Sequence, residues 1–339
     1  MMYVAFIGAG SCGTAFAKVL AGSSHKVCLW DRDTERLKDI AEKRENIKHL
    51  PGVKLPQEIE FITEMKDCLK NADMVVFCVP AQAFRVNYQL ALPFMHDDAI
   101  VVNAAKGIET ASLCRLSEIA LSIKPSVRYA VLSGPSHAEE VGRGRPASLV
   151  AASYDERVAR MVQDVFMSET FRIYTSDDVM GVELGGALKN IIALGAGIAD
   201  GLEYGDNAKA ALMTRGLVEM IRLGEKLGAN PATFHGLSGV GDLIATCCSV
   251  HSRNRRCGVL IGKGVRAKDA VERMGAVVEG VYTCEAAYDL AKKLDVEMPI
   301  TEAIHAVIHG ETDPKSAVHM LMTRSKKSEN PQESEGGDE

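Results

Sequence analysis

YVAFIGAGSCG, residues 3 to 13, holds an apolar run that stops at a glycine and then opens a helical pattern. The run over 3–7 has the character of a buried strand, apolar throughout and bounded by a turn residue. GAGSCG, residues 8 to 13, is a GxGxxG arrangement with a strand before it and a helix after it, the setting that gives the pattern its meaning. Gly8 permits the tight turn, Gly10 lets backbone approach a pyrophosphate, and Gly13 lets the helix lie close to the strand. The helix N-terminus then offers unpaired amides and partial positive charge to the phosphates. A nicotinamide dinucleotide is the expected ligand.

The second strand, 26–30, leads into LWDRD, residues 29 to 33. An acid at this place suits the ribose hydroxyls of NAD, and an arginine suits the extra phosphate of NADP. Asp31 and Arg32 supply both, so the residues leave NAD and NADP open. Further strands are expected over 73–79, 99–104, 128–132, 148–152 and 171–174, with helical stretches between them. That alternation predicts a Rossmann-type, doubly wound parallel sheet.

After residue 178 the β-branched runs largely stop and helical patterns take over. Helices are expected over 179–199, 207–227, 267–274, 283–293 and 301–309. The fold class is thus α/β, an N-terminal sheet domain (1–178) followed by an all-α domain (179–325). Residues 326–339 are polar and acidic, the composition of a disordered tail.

The chain has 339 residues, 47% hydrophobic and 25% charged, with a formal net charge of -6. Two domains of ordinary size fit that length. A weakly acidic balance argues against a broad nucleic-acid surface. MMYVAFIGAG has no basic start, so no signal peptide is expected there. The segment 179–199 is long enough for a membrane span, but Glu183, Lys189 and five glycines argue against one. Nine cysteines without a CxxC pair suit free thiols in a reducing cytosol rather than disulfides or zinc. His305 and His309 stand four apart, yet no third ligand accompanies them in sequence, so both are expected to face solvent and no metal centre is expected.

Lys189 raises the sharpest question, because an isolated ammonium in a buried helix costs several kcal/mol or shifts its pKa. Lys106 is a second cation, at the end of a strand in NAAKG. LSGPSHAEE, residues 132 to 140, closes another strand, where Gly134 can offer an amide and Ser136 a hydroxyl. GLSGVGDLIATCCS, residues 236 to 249, puts Asp242 and Thr246 one helical turn apart. HSRNRRCG, residues 251 to 258, gathers Arg253, Arg255 and Arg256 around Asn254 and beside Ser252, donors that suit a phosphate.

Taken in order, GAGSCGTA, AAKGIE, LSGPSHAEEV, GVELGGALKNIIALGAGIADGL, NAKAALMTRGL, GVGDLIATC and HSRNRR resemble the motifs of bacterial-type NAD(P)-dependent glycerol-3-phosphate dehydrogenase. The resemblance runs from near the N-terminus to about residue 325. It implies a C-terminal domain like that of 6-phosphogluconate dehydrogenase, and reversible hydride transfer between dihydroxyacetone phosphate and sn-glycerol 3-phosphate, a phospholipid precursor. It implies that Lys189 gives and takes the proton; on physical grounds Lys106 would then lower its pKa, Asp242 would orient the ammonium, and Asn190 and Thr246 would support the geometry. Lys106, Gly134, Ser136, Asp242, Ser252, Arg253 and Asn254 would line the substrate. Ser11, Cys12, Lys106, Ala138, Arg253, Val277 and Glu279 would touch the cofactor. Cys12 departs from the aromatic residue common at its position, and Asp31 departs from many members. A cytoplasmic enzyme and a homodimer fit the same picture. The alternatives are a β-hydroxyacid-type dehydrogenase and a non-enzymatic dinucleotide sensor; the arginine cluster argues against the first, and the lysines with Asp242 against the second.

Overall fold

The computed structural model describes residues 1–326, 328 and 329. Its strands are β1 (Tyr3–Ile7), β2 (Lys26–Trp30), β3 (Ile59–Phe61), β4 (Met74–Phe77), β5 (Ile100–Asn103), β6 (Arg128–Ser133), β7 (Ala147–Ala152) and β8 (Phe171–Ser176). They form one sheet in the order β3-β2-β1-β4-β5-β6-β7-β8. The order reverses between β1 and β4, which opens a crevice beyond their C-terminal ends. Ile7 stands level with Trp30 on one side and Phe77 on the other. Gly8, Asp31 and Cys78 therefore follow at one rim.

Both faces of the sheet are buried. Phe16 from the helix Ser11–Ala21 meets Phe166 and Phe171 edge-on, with ring centroids 6.0 and 5.4 Å apart. On the other face Phe77 packs edge-on against Phe84 and Tyr88. Aromatic pairs in this geometry add about 0.5–1.5 kcal/mol to simple area burial.

Two features of the sheet depart from the sequence expectation. β3 was not anticipated, because three residues, IEF, carry too little alternation to register. β7 runs antiparallel to β6, with Val131 opposite Ala152, so the sheet is parallel except at that pair. The connection between them holds only the four-residue helix Ala138–Val141. A parallel return needs a full crossover, usually through a longer helix.

The second half is helical. Its centre is the helix Val179–Gly201, buried almost all round. It is long and apolar enough to cross a membrane, but its most apolar window lies entirely inside the protein. The helix Arg253–Gly262, which was not among the expected helices, crosses it at backbone contact. A Cβ on Gly197 would lie 2.0 Å from the Arg255 carbonyl, and one on Gly258 would lie 2.1 Å from the Leu194 carbonyl. The other helices include Gly205–Leu227, Ala267–Met274, Glu279–Leu294 and Pro299–His309, each close to an expected one.

Glu183 ties the central helix to the sheet domain. It accepts hydrogen bonds from the Ser117 amide and hydroxyl, the Arg115 guanidinium and the Tyr129 hydroxyl. Burial raises its pKa and Arg115 opposes that rise. His305 corrects another expectation. It is buried, its ring stacks on Tyr288 at 3.8 Å, and Glu285 brings a third polar group within reach of it and His309. That glutamate lies on the preceding helix, Glu279–Leu294, where spacing alone does not reveal it. Of the expected disordered tail, residues 327 and 330–339 lie outside the described residues.

Candidate functional site

A cavity of about 500 Å3 lies where the C-terminal rim of the sheet meets the helical half. Its floor is the glycine turn. Gly8 has φ +106°, and its amide donates to the Trp30 carbonyl at 2.9 Å. Only glycine adopts that conformation without strain. A Cβ on Gly13 would fall 2.0 Å from the Gly8 carbonyl, whereas one on Gly10 would meet nothing within 4 Å. Gly13 thus serves packing between turn and helix and does not itself line the cavity, while Gly10 faces open space.

Asp31 is already engaged. It accepts from the Ala9 amide at 2.7 Å and the Asp33 amide at 2.9 Å, and it pairs with Arg36 at 2.5 Å. Arg36 reaches His49 Nε2 at 2.9 Å, and the Ser11 hydroxyl donates to the His49 carbonyl. Arg32 is exposed at the rim. Arg36 and His49 carry no signal in the sequence, because nothing in their spacing ties them to Asp31.

Elsewhere in the lining stand two lysines on one carboxylate. Lys189 Nζ lies 2.5 Å from Asp242 Oδ1, and Lys106 Nζ lies 2.7 Å from Asp242 Oδ2. Lys189 also donates to Thr246 Oγ1 at 2.6 Å, and Lys106 donates to the Gly134 carbonyl at 2.8 Å. Lys189 is 5% exposed and Asp242 is 2% exposed, so neither ammonium snorkelling nor solvent screening explains the pair. Burial lowers the Lys189 pKa to about 8, with Lys106 adding to the fall and Asp242 resisting it. Burial acts to raise Asp242, but the two ammonium groups outweigh it and hold the carboxyl below its ordinary value. Two cations against one anion leave a net positive charge at the cavity wall.

Local sequence explains the placement. Residues 237–241 form a π-helical turn that feeds directly into the helix Asp242–Cys248. Such turns are rare and concentrate at functional sites. A Cβ on Gly185 would lie 2.7 Å from the Ser238 carbonyl, and one on Gly186 would lie 2.6 Å from the Ser133 hydroxyl. The paired glycines of the central helix therefore let the turn and the β6 end close in on Lys189.

Asn190 accepts from the Asn254 side chain at 2.8 Å and donates to the Lys106 carbonyl at 3.3 Å. Asn254 in turn accepts from the Gly280 amide at 2.9 Å. Ser252 caps the helix Arg253–Gly262 by accepting from the Arg255 amide. Of the three arginines only Arg253 lines the cavity; Arg255 pairs with Asp200 at 2.6 Å instead. Helical geometry points successive residues in different directions, which a cluster in sequence does not reveal.

Ser11, Cys12, Ser136, Ala138, Val277 and Glu279 also line the cavity. Gly134 does not. It holds φ +143°, and its carbonyl accepts from both Lys106 and Ser136, so the group it is seen to use is its carbonyl. His137 and His251, unremarked in the sequence reading, line the cavity with rings 6.3 Å apart. Burial lowers the His137 pKa, and its Nε2 sits 3.1 Å from the Ala245 carbonyl.

The lining suits a dinucleotide. Glu279 accepts from the Ala81 amide through one oxygen, while its second oxygen is buried without a partner. A buried unpaired acceptor is costly unless a donor arrives. Gly10 leaves the room that a phosphate needs beside the helix amides.

Comparison with known proteins agrees with this geometry. Residues 3–159 match the family model for the NAD-dependent glycerol-3-phosphate dehydrogenase N-terminus, and residues 178–319 match the model for its C-terminus. The chain is 53% identical over 329 residues to glycerol-3-phosphate dehydrogenase [NAD(P)+] of Bacillus subtilis, covering 96% of this chain and 95% of that protein. It is likewise 53% identical over 326 residues to the enzyme of the same name from Pelotomaculum thermopropionicum, covering 95% and 93%. The crystal structure of glycerol-3-phosphate dehydrogenase from Coxiella burnetii superposes with a TM-score of 0.91 at 36% identity, over 95% of this chain and 99% of that one.

Proposed function

We infer the chemistry of this cavity from one premise: the chain belongs to the NAD-dependent glycerol-3-phosphate dehydrogenase family. It is an NAD(P)-dependent oxidoreductase that interconverts dihydroxyacetone phosphate and sn-glycerol 3-phosphate, the latter a precursor for phospholipid synthesis. The observation that carries the site assignment is Lys189 held against Asp242 inside a cavity floored by the glycine turn.

When bound, the nicotinamide supplies or receives the hydride. Gly10, Ser11 and Cys12 would sit against its phosphates, Asp31 and Arg32 at the adenosine end, and Glu279, Ala138 and Val277 along the wall. Lys189, as an ammonium, donates a proton to the ketone oxygen of dihydroxyacetone phosphate as negative charge develops there. Its lowered pKa lets the neutral amine take that proton back when glycerol 3-phosphate is oxidised. Asp242 fixes the amine, Thr246 receives one of its hydrogens, and Lys106 adds positive charge beside the same oxygen. Arg253, Asn254 and Ser252 would hold the phosphate, with Ser136 and Gly134 shaping the pocket around the carbon chain. Asn190 braces Asn254 and Lys106.

A division into domains 1–178 and 179–325 is supported by the change from strand to helix between Ser176 and Val179. Free cysteines support a cytoplasmic setting, and exposed Val218, Met320 and Met322 support a homodimer. The decisive assay is oxidation of NADH and of NADPH, followed by absorbance, on adding dihydroxyacetone phosphate. Absence of phosphate dependence, with unphosphorylated dihydroxyacetone reduced equally well, would overturn the substrate assignment.

A further inference from the structure

Cys12 is the second residue of the eleven-residue helix Ser11–Ala21, and Cys78 is the first residue beyond β4. The parallel pairing of β1 with β4 brings them together, with the Cys78 amide donating to the Ile7 carbonyl at 2.9 Å. Where Gly13 lacks a Cβ, one would lie 3.1 Å from Cys78 Cβ. Both cysteines are half-buried and line the dinucleotide cavity. The remaining cysteines are placed differently: Cys28 and Cys68 are sealed in the core, Cys247, Cys257 and Cys284 are buried, and Cys114 and Cys248 lie in other segments.

We propose that Cys12 and Cys78 form an oxidisable dithiol in the floor of the dinucleotide cavity, closing to a disulfide under a hydroperoxide and reopening under a dithiol. The proposal rests on the dinucleotide reading of that cavity. The two sulfurs are not equivalent. The Cys78 thiol hydrogen-bonds to Cys12 and lowers its pKa, Lys106 and Arg253 lower it further, and burial opposes them. The same hydrogen bond, with burial, raises Cys78. A thiolate at a helix N-terminus beside two cations is the reactive form of cysteine.

The chemistry balances with one molecule of hydrogen peroxide as the hydroperoxide. The Cys12 thiolate attacks a peroxide oxygen; the S–O bond forms, the O–O bond breaks, and hydroxide leaves to become water. Cys78 then gives up its proton and attacks the Cys12 sulfur, forming the S–S bond and expelling the oxygen as a second water. Two thiols are oxidised by two electrons and the peroxide is reduced by two. Reduction by an external dithiol runs through a mixed disulfide. Closing the bond draws the first turn of the helix towards β4, and that turn carries the amides that would bind phosphate. Oxidation therefore weakens dinucleotide binding, and bound dinucleotide covers the thiols.

The test treats the purified full chain with hydrogen peroxide and reads two quantities. One is the non-reducing peptide mass map; the other is NADH affinity by fluorescence titration. A Cys12–Cys78 linked peptide pair, an NADH Kd raised at least tenfold, recovery under dithiothreitol and protection by NAD are expected. Cys12→Ser and Cys78→Ala, each compared with its own affinity before oxidation, should give no linked pair, and Cys12→Ser should keep its affinity. Peroxide inactivation that maps to Cys248 or Cys114, or that persists unchanged in Cys12→Ser, overturns the proposal, as does an intact linked pair that leaves NADH affinity unmoved. A chain that binds no NADH before treatment sinks the dinucleotide reading, while the mass map still reports separately on the thiol pair.

Discussion

Lys189 and Asp242 meet 2.5 Å apart on a wall from which water is almost wholly shut out. Asp242 shares its other oxygen with Lys106, so it neutralises only one of two ammonium groups. The surplus charge is available to an oxygen that becomes anionic during reaction. Lys189→Ala is expected to lower kcat by about 10²- to 10⁴-fold, the usual worth of a positioned general acid. NADH affinity, measured by fluorescence, should change little, because the amine is held by Asp242 and Thr246 and makes no contact with the glycine turn among those the structure shows.

The reaction should depend on pH with opposite signs in its two directions. Lys189 loses its proton near pH 8. Reduction of dihydroxyacetone phosphate needs the ammonium, so its kcat/KM falls above about that pH. Oxidation of glycerol 3-phosphate needs the free amine, so its kcat/KM rises through the same range. Asp242→Asn removes the charge that resists the downward shift, leaving burial and Lys106 to act alone. Both limbs should then move to lower pH, as pH–rate profiles of the variant would register.

Arg253 alone of its cluster reaches the cavity. Arg253→Ala should raise KM for dihydroxyacetone phosphate strongly and also lower kcat, because binding energy at the phosphate orients the reacting carbon. Arg256→Ala, on the same helix and absent from the lining, should leave both constants nearly unchanged. Steady-state kinetics on the pair separates a phosphate site from a general loss of basic charge.

Two glycines should fail in different ways. Gly258→Ala puts a methyl group 2.1 Å from the Leu194 carbonyl, so the helices must separate and Tm should fall by about 5 °C or more. Gly10→Ala meets no protein atom and should leave Tm almost unchanged. Its methyl group occupies space beside the helix amides, and NADH binding should weaken on the order of tenfold, about 1.4 kcal/mol. Calorimetry with a binding titration distinguishes the two.

Glu219 offers a stability test remote from the cavity. It is buried and accepts from the Ile300 and Thr301 amides, and burial raises its pKa from 4.5 to about 7. A carboxyl raised on folding favours the folded chain while protonated. That contribution is complete below about pH 4.5 and is lost as pH rises through 7. Its full span is about 3 kcal/mol. Glu219→Gln should therefore gain Tm relative to the parent between pH 5 and pH 8, a difference readable by thermal denaturation at each pH.

Most of the sheet was legible because buried parallel strands are written as short apolar runs with glycine or polar punctuation. Lys189 stood out because a cation inside an apolar helix demands a partner, and Asp242 with Thr246 was visible as a helical pair. Other parts were not legible. The β6–β7 reversal depends on a connection too short for a crossover, and Arg255 turns to Asp200 through helical phase rather than through any pattern in SRNRR. The third member of the His305–His309 group comes from a neighbouring helix. His137 and Arg36 reach the cavity only through tertiary packing, which no local window contains.

Glu183 and Lys189 lie six residues apart on one unbroken helix, roughly 9 Å along its axis. The first is bolted to Arg115, Ser117 and Tyr129 of the sheet half; the second carries the working proton. A rotation of one half against the other would shift the amine or tear out a buried carboxylate anchor. The two halves are thus pinned to each other along the same rod that carries the chemistry.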